Sequence, residues 1–418
     1  MSDRYVYLTG DRTLVRGAKY GLVIDFTTGG LHRLNEPACE ILECSRQGIS
    51  LERALEHLDL STENAEIFLQ DMQAKGLVVI SSAPQQDPQL CGAPPPAKLD
   101  FVWIEVLSEC NLMCLHCYAE ASPQQMARPG TREVLEWMDQ AATLGCRSIQ
   151  VTGGECTLRD DLQDLLTYAR PKFETVEIFT NATLLTPALI RFLAENKIQV
   201  AFSLYSYKPE VHDRITGVPG SYQKTLDNLK LLLAHEVTVR GGIIGMKQNE
   251  ADLEATEYFL GSLGVPVSPA DPVRPCGRGR QRDFWPEQYG QCMVRSKPQF
   301  MPERAQYCSN RHWNSCWFGK AAISPEGDVL PCVFARDQVA GSLSKHSLEW
   351  IFQNGLLPYW QLTRDRIFVC RDCEYRYICR DCRPWAYGYT GDLYAKSPTC
   401  TYTPYTGEWG SPESALRF

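Results

Sequence analysis

No apolar run in this 418-residue chain approaches the ~18 residues that a membrane-spanning helix needs. The opening stretch MSDRYVYLTGD has no basic region followed by an apolar core, so no secretory signal is read there. A cytoplasmic location with no membrane partner is expected. Positive charge is also short: 42 Lys and Arg against 50 Asp and Glu leave a net charge of -8. With no basic block to offset it, a nucleic-acid partner is not expected. The one short basic stretch, RPCGRGRQR at 274–282, reads as a solvated loop or an anion-contacting turn. Cysteine, by contrast, is abundant, with 18 residues. Thiols stay reduced in the cytosol, so a disulfide framework is not the expected use, and metal or cluster ligation is.

The length predicts two to four domains with a full core. Residues 81–98, SSAPQQDPQLCGAPPPAK, are Pro-rich and aperiodic and read as a semi-rigid linker, which implies a separately folded core beyond it. Before it, YVYL, TLV, GLVIDF and LHRLN read as short strands. PACEILEC, SLERALEHL and TENAEIFLQDMQAKG read as helices, the last with Ile67, Phe68, Met72 and Leu77 on its apolar side. Strands followed by helices make an α+β unit over 1–82, with the linker at 83–98. Over 101–275, FVWIEVL, RSIQVTGG, TVEIFTN, QVAFSLYS, VTVRGGIIGM and VPVSPADPV alternate with helices. Six such βα units predict a parallel sheet in an α/β domain over 99–300, too short for a closed eight-stranded barrel. From about 308 onward helical periodicity fades and cysteines, aromatics and turn residues dominate, so residues 301–418 read as a fold organised around metal.

Cys110, Cys114 and Cys117 stand in SECNLMCLHCYAE, just after the first central strand. Three thiolates on one short loop can hold three corners of a four-iron four-sulfur cube, leaving one iron open to chelate a small molecule. Tyr118 would cover that face. Zinc is the other reading, with His116 as a fourth ligand. Gly153, Gly154 and Glu155 follow the second strand, where glycines permit close backbone approach and a carboxylate can accept from an ammonium group. Downstream lie Cys316, Gly327, Cys332, the run CRDCEYRYICRDC with Cys370, Cys373, Cys379 and Cys382, and then Cys400.

The CxxxCxxC loop resembles the signature of the radical S-adenosylmethionine (SAM) superfamily, and the rest of the central region fits it. The resemblance implies a partial (β/α)6 barrel in which the open iron binds SAM and the reduced cluster cleaves it to a 5'-deoxyadenosyl radical. It further implies that Gly153, Gly154 and Glu155 bind the SAM amino group, that Asn181 and Ser203 contact SAM, and that Arg214 takes its carboxylate. Cys156 departs from the usual Pro after this motif; it reads as a buried small residue or as a thiol near the radical. The C-terminal cysteines resemble the SPASM extension, which binds two auxiliary 4Fe-4S clusters. Cys370, Cys373, Cys379 and Cys400 would hold one. Cys316, Cys332 and Cys382 would hold the other, with Cys308 as a fourth ligand or with one iron open. Two residues between Cys379 and Cys382, where the family has three, is a departure. Cys39, Cys44, Cys91, Cys146, Cys276 and Cys292 fit no cluster pattern; most of them read as packing residues, and no role is read for Cys276 and Cys292.

The N-terminal unit resembles the winged-helix-like, PqqD-like recognition element that binds the leader of a ribosomally made peptide as an added strand; a dimerisation or packing module is the other reading. Together these resemblances imply a leader-dependent peptide maturase acting on a precursor peptide, with flavodoxin or ferredoxin as electron donor. A thioether cross-link is the first expectation, then a carbon-carbon or carbon-oxygen cross-link, then epimerisation. Formylglycine formation as in sulfatase maturases is an alternative, and an iron-sulfur electron carrier the non-catalytic one.

Overall fold

Alternating apolar residues at the start of the chain build two small antiparallel sheets in a computed structural model that describes residues 3–85, 90–287, 300–380 and 382–411. Strand β1 (Tyr5–Leu8) pairs with β5 (Val78–Ser81), and β2 (Arg12–Arg16), β3 (Gly21–Asp25) and β4 (Leu31–Leu34) form a three-stranded sheet in that order. Helices α1 (Glu36–Arg46), α2 (Leu51–His57) and α3 (Thr62–Ala74) share a core with Val23 and Leu34 of the larger sheet. Asn35 caps α1 by accepting from the Ala38 N–H at 3.1 Å. On α3 the buried side is Ala65, Leu69 and Met72, a spacing of four and three that follows the helical repeat. Ile67, expected on that side, is 60% exposed, and Leu77 is buried beyond the helix end.

The other face of the three-stranded sheet does not meet water. Val15, Leu22 and Ile24 pack against Tyr307, Tyr375, Tyr377 and Ile378 of the C-terminal region. At the β2–β3 turn the Ala18 N–H donates to the Asp372 carbonyl at 2.7 Å, and Arg376 Nη1 donates to the Arg16 carbonyl at 2.6 Å. Burying each of the three aliphatic side chains contributes roughly 1.5–3 kcal/mol. The half-exposed Asp11–Arg304 ion pair adds at most about 1 kcal/mol, so apolar burial holds the unit in place. The Pro-rich stretch is likewise docked rather than free: Leu90 and Pro95 carbonyls accept from Arg304 and from Trp313 Nε1. Cys91, expected as a packing residue, forms a disulfide with Cys308.

Five parallel strands carry the central domain: β6 (Phe101–Glu105), β7 (Ser148–Thr152), β8 (Thr175–Thr180), β9 (Gln199–Ser203) and β10 (Val239–Gly242), ordered in space as in sequence. Helices α4 (Thr131–Thr143), α5 (Leu162–Ala169), α6 (Pro187–Glu195), α7 (Pro209–Thr216), α8 (Ser221–Ala234) and α9 (Leu253–Ser262) fall between and after them. The sixth unit is reduced. Val267 makes a single parallel bridge to Gly241, and β12 (Asp271–Pro272) pairs over two residues with β11 (Ile244–Gly245). Pro266, Pro269 and Pro272 withhold the N–H groups that a full ladder needs. The open sheet thus stays a partial barrel of α/β class. At its opposite edge β13 (Lys320–Ile323) adds parallel to β6, and β14 (Asp328–Leu330) and β15 (Gly341–Ser342) continue antiparallel to give eight strands. Helix does return in the C-terminal region, at Leu348–Ile351, Leu357–Trp360 and Arg383–Thr390. Among the described residues no helix is long and apolar enough to cross a membrane.

Candidate active site and cysteine groups

The loop after β6 is held by backbone bonds to other segments. Met113 and Leu115 N–H groups donate to the Thr216 and Ile215 carbonyls, each at 2.9 Å, and the Cys110 N–H donates to the Ser122 carbonyl at 3.2 Å. Arg278 locks the same loop by donating Nε to the Cys114 carbonyl and Nη2 to the Ala121 carbonyl, each at 2.9 Å. The basic stretch at 274–282 is therefore no solvated loop around Arg278: it clamps the three-cysteine loop. Cys110, Cys114, Cys117, Tyr118 and His116 all line one cavity of about 570 Å³. A structural zinc site is closed, whereas this one opens onto a ligand-sized space. His116 Nδ1 is buried there without a partner, its ring edge-on to Tyr205 at 4.7 Å between centroids. Burial pushes His116 down to about 3. Burial also pushes Cys110 up to about 12 and raises Cys114.

The two glycines after β7 are set by close approach. A Cβ on Gly153, whose φ is +139°, would lie 2.3 Å from the Leu107 carbonyl oxygen, and one on Gly154 would lie 2.0 Å from that of Glu109. Both glycines line the cavity, so their backbone meets the space beside the cysteines. Glu155 does not. Its carboxylate is fully buried beneath the cavity floor, Oε1 accepting from Thr157 N–H at 3.1 Å and from the Thr157 and Thr180 hydroxyls at 2.6 Å, and Oε2 from the Asn181 N–H at 2.7 Å. Burial raises its pKa against these donors. Its role in this structure is to bind the ends of β7 and β8 together, and the ammonium contact expected of it is not presented to the cavity.

Asn181 and Ser203 both line the cavity. Asn181 Nδ2 donates to Asn111 Oδ1 at 2.9 Å and reaches Cys110 Sγ at 3.9 Å. Arg214 is a correction: it is exposed on α7, whose buried side is Val211, His212, Ile215 and Thr216, and it is not among the cavity residues. Cys156 is buried with its thiol toward the Phe179 carbonyl at 3.6 Å and does not line the cavity. Sequence reasoning missed a polar row inside the barrel. Gln150 on β7 and Arg240 on β10 both donate to Glu177 on β8, Arg240 Nε at 2.8 Å, and both line the cavity. Polar residues at inward positions of apolar strands were the available signal.

The C-terminal cysteines fall into two groups. Gly327, at φ +81°, turns the β13–β14 hairpin so that Cys332 returns toward Cys316. Cys316 shares a hydrogen bond with Cys382, and Cys332 is near enough to both to act on the pair electrostatically. In the other group Cys370, Cys373 and Cys379 are mutual neighbours. The buried Arg364 faces Cys370 Sγ at 3.8 Å and Cys379 Sγ at 3.6 Å, where a cation offsets the negative charge of thiolates around a cluster. Cys400 sits two residues before Tyr402, which donates to Glu374 and packs on Tyr375. Cys308, the expected fourth ligand of the first group, is not with it: its sulfur is bonded to Cys91, beside Tyr375 and Tyr377. Cys39, Cys44 and Cys146 are buried packing residues, as expected, and Cys292 lies outside the described residues.

Residues 104–260 match the Radical SAM superfamily, and residues 315–383 match the iron-sulfur cluster-binding domain SPASM. The chain is 28% identical over 322 residues to the antilisterial bacteriocin subtilosin biosynthesis protein AlbA of Bacillus subtilis, covering 71% of this chain and 70% of the relative. It is 25% identical over 336 residues to an AdoMet-dependent heme synthase of Methanosarcina barkeri, covering 72% of this chain and 95% of the relative. The crystal structure of Streptococcus suis SuiB with S-adenosylmethionine aligns at 16% identity with a TM-score of 0.59, covering 94% of this chain and 99% of that one. SuiB bound to its precursor peptide SuiA gives a TM-score of 0.55 with 94% and 98% covered.

Proposed function

We propose, from the premise that this chain is a SAM-cleaving radical SAM enzyme with a SPASM iron-sulfur extension, that it is a leader-dependent maturase of a ribosomally made peptide. The observation that carries the peptide reading is the N-terminal α+β unit, docked by one sheet face on the C-terminal cysteine region. Among the described residues strand β4 is paired on one side only, by β3, and leaves an edge for an added strand, and Ile67 on α3 stands exposed. Relatives named for bacteriocin biosynthesis and for a precursor-peptide complex support it. A small-molecule substrate such as a tetrapyrrole, suggested by the heme synthase relative, would leave that docked unit without a task.

When bound, the SAM-site cluster supplies the electron that cleaves SAM, and the auxiliary clusters supply a path for the electron released as product forms. Cys110, Cys114 and Cys117 would hold the first, with Tyr118 over its open face. The Gly153 and Gly154 backbone would receive the SAM ammonium, and Asn181 and Ser203 would hold its remainder. Gln150 and Arg240, braced on Glu177, line the same cavity. Cavity walls of Trp103, Phe179 and Phe334 exclude water from the radical. The bond we assign is a thioether, formed by joining a peptide Cys sulfur to a carbon from which hydrogen has been abstracted. A cytoplasmic setting with a flavodoxin or ferredoxin donor goes with this chemistry.

Mass spectrometry of the precursor peptide after co-expression tests the assignment. A cross-link loses a pair of hydrogen atoms, and a thioether also removes one thiol from alkylation by iodoacetamide. Lost hydrogens with every thiol still alkylated would point to a carbon-carbon or carbon-oxygen bond. An unmodified peptide that also fails to bind the full chain by fluorescence anisotropy would remove the peptide reading.

A further inference from the structure

Beside the group of Cys316, Cys332 and Cys382 runs the segment Arg274–Arg282. On one side this segment presses on the SAM-site loop. The Arg278 N–H donates to the Cys117 carbonyl at 3.1 Å, and a Cβ on Gly277 would lie 2.3 Å from the Tyr118 carbonyl oxygen. On its other side it meets the segments that carry Cys332 and Cys382. Arg274 stacks over Phe334, two residues past Cys332, at 4.5 Å. Pro275 packs so closely on Gly388, in the helix that follows Cys382, that a Cβ there would lie 2.4 Å from Pro275 Cγ.

Between these contacts sits Cys276, 4% exposed, with Cys332 and Cys382 close enough to act on its thiol electrostatically. Arg274 in turn faces Cys382 and Cys316. Two buried donors face these thiols: Arg274 reaches Cys382, and Trp317, a fully buried residue, reaches Cys332. Sulfide and thiolate sulfurs of a cluster are acceptors of the kind such donors would satisfy.

We propose that Cys276 is the fourth ligand of the auxiliary cluster held by Cys316, Cys332 and Cys382. The assignment rests on the reading of that group as a cluster site. Ligation replaces the S–H bond of Cys276 by an S–Fe bond and releases one proton, with no change in electron count. Because Cys276 also lines the cavity, it stands between the cluster and the substrate space. The cluster is then closed to a substrate thiolate and serves only to pass electrons.

The test uses full-length protein in which Cys110, Cys114 and Cys117 are all replaced by Ala, so that the SAM-site iron is gone. Reduced samples with carbon-13 cyanide are read by pulsed electron paramagnetic resonance. No cyanide coupling is expected in this background, and coupling should appear when Cys276→Ala is added. If Cys276→Ala instead loses a cluster, reconstitution with 2-mercaptoethanol, a free thiolate, should restore the iron. Cyanide coupling before Cys276 is touched, an unchanged spectrum after, or iron that free thiol fails to restore would each overturn the assignment while leaving the cluster in place. A background protein with no iron at all would overturn the auxiliary-cluster reading and this assignment with it.

Discussion

The barrel and the C-terminal cysteine region hold thiols in opposite ways. In the barrel the loop carrying Cys110, Cys114 and Cys117 hangs from strands whose core residues Val102, Ile104, Ile149, Val151, Ile178 and Val200, in the register that faces away from the cavity, are 1% exposed or less. Its backbone is tied to α7, to Ser122 and to Arg278. In the C-terminal region β13, β14 and β15 have four, three and two residues, and the cysteines come from separate segments between positions 316 and 400. The first site is made by its fold; the second fold has to be completed by its ligands.

That contrast breaks if removing either set of thiols has the same consequence. Replacing Cys110, Cys114 and Cys117 together by Ala should abolish 5'-deoxyadenosine formation and remove about a third of the iron of three four-iron clusters. The thermal midpoint should hardly move. Cys373→Ala should do the reverse, keeping SAM cleavage while losing modified peptide and lowering the midpoint by several degrees. Iron analysis, a SAM-cleavage assay and circular dichroism melts read all three quantities. A triple variant that melted below Cys373→Ala would show that the barrel site, too, depends on its cluster for folding.

The legible parts of this protein were local in sequence. Cysteine spacing, the glycine pair after β7 and the strand-helix alternation each lie within a few residues or one βα repeat, and the structure places them as a partial barrel with the glycines at the cavity. What sequence could not give depends on packing between distant segments. Cys308 is withdrawn from its expected group by Cys91, 217 residues away. Arg278 belongs to a stretch whose composition reads as solvated, yet its partners are the carbonyls of Cys114 and Ala121. Glu155 turns inward because Thr157, Thr180 and Asn181 converge on it, a fact no motif records. The row of Gln150, Glu177 and Arg240 was legible in principle, as polar residues in the inward register of apolar strands.

A smaller effect sharpens the idea that the barrel site is preformed. Gly154→Ala puts a Cβ where the Glu109 carbonyl oxygen now sits 2.0 Å away, so the SAM-site loop must shift as a unit. A displacement near 1 Å costs on the order of a hundredfold in rate. Turnover of SAM should fall by about that factor with iron content unchanged, since the glycine contributes no ligand. Retained activity would mean that the loop adapts without cost and that its close approach is incidental.

The smallest effect is expected at Arg214, and it bears on the same question. Helix α7 supports the SAM-site loop through backbone and apolar packing: the Thr216 and Ile215 carbonyls accept from Met113 and Leu115, Val211 and Ile215 share a cluster with Cys114, and Gly217, at φ +72°, ends the helix under Met113. The Arg214 side chain leaves from the opposite side into solvent, where a substitution typically changes a free energy by no more than about 0.5 kcal/mol. Arg214→Ala should therefore change the KM for SAM by less than about threefold and leave kcat as it was, because 1.4 kcal/mol corresponds to a factor of about ten. Steady-state kinetics of 5'-deoxyadenosine release measure both. A tenfold rise in KM at constant kcat would mean that the guanidinium swings over to hold the SAM carboxylate, since uniform binding lost in that way raises KM alone. The site would then be completed by its ligand rather than preformed, and the barrel would resemble the cysteine region more than its buried strands suggest.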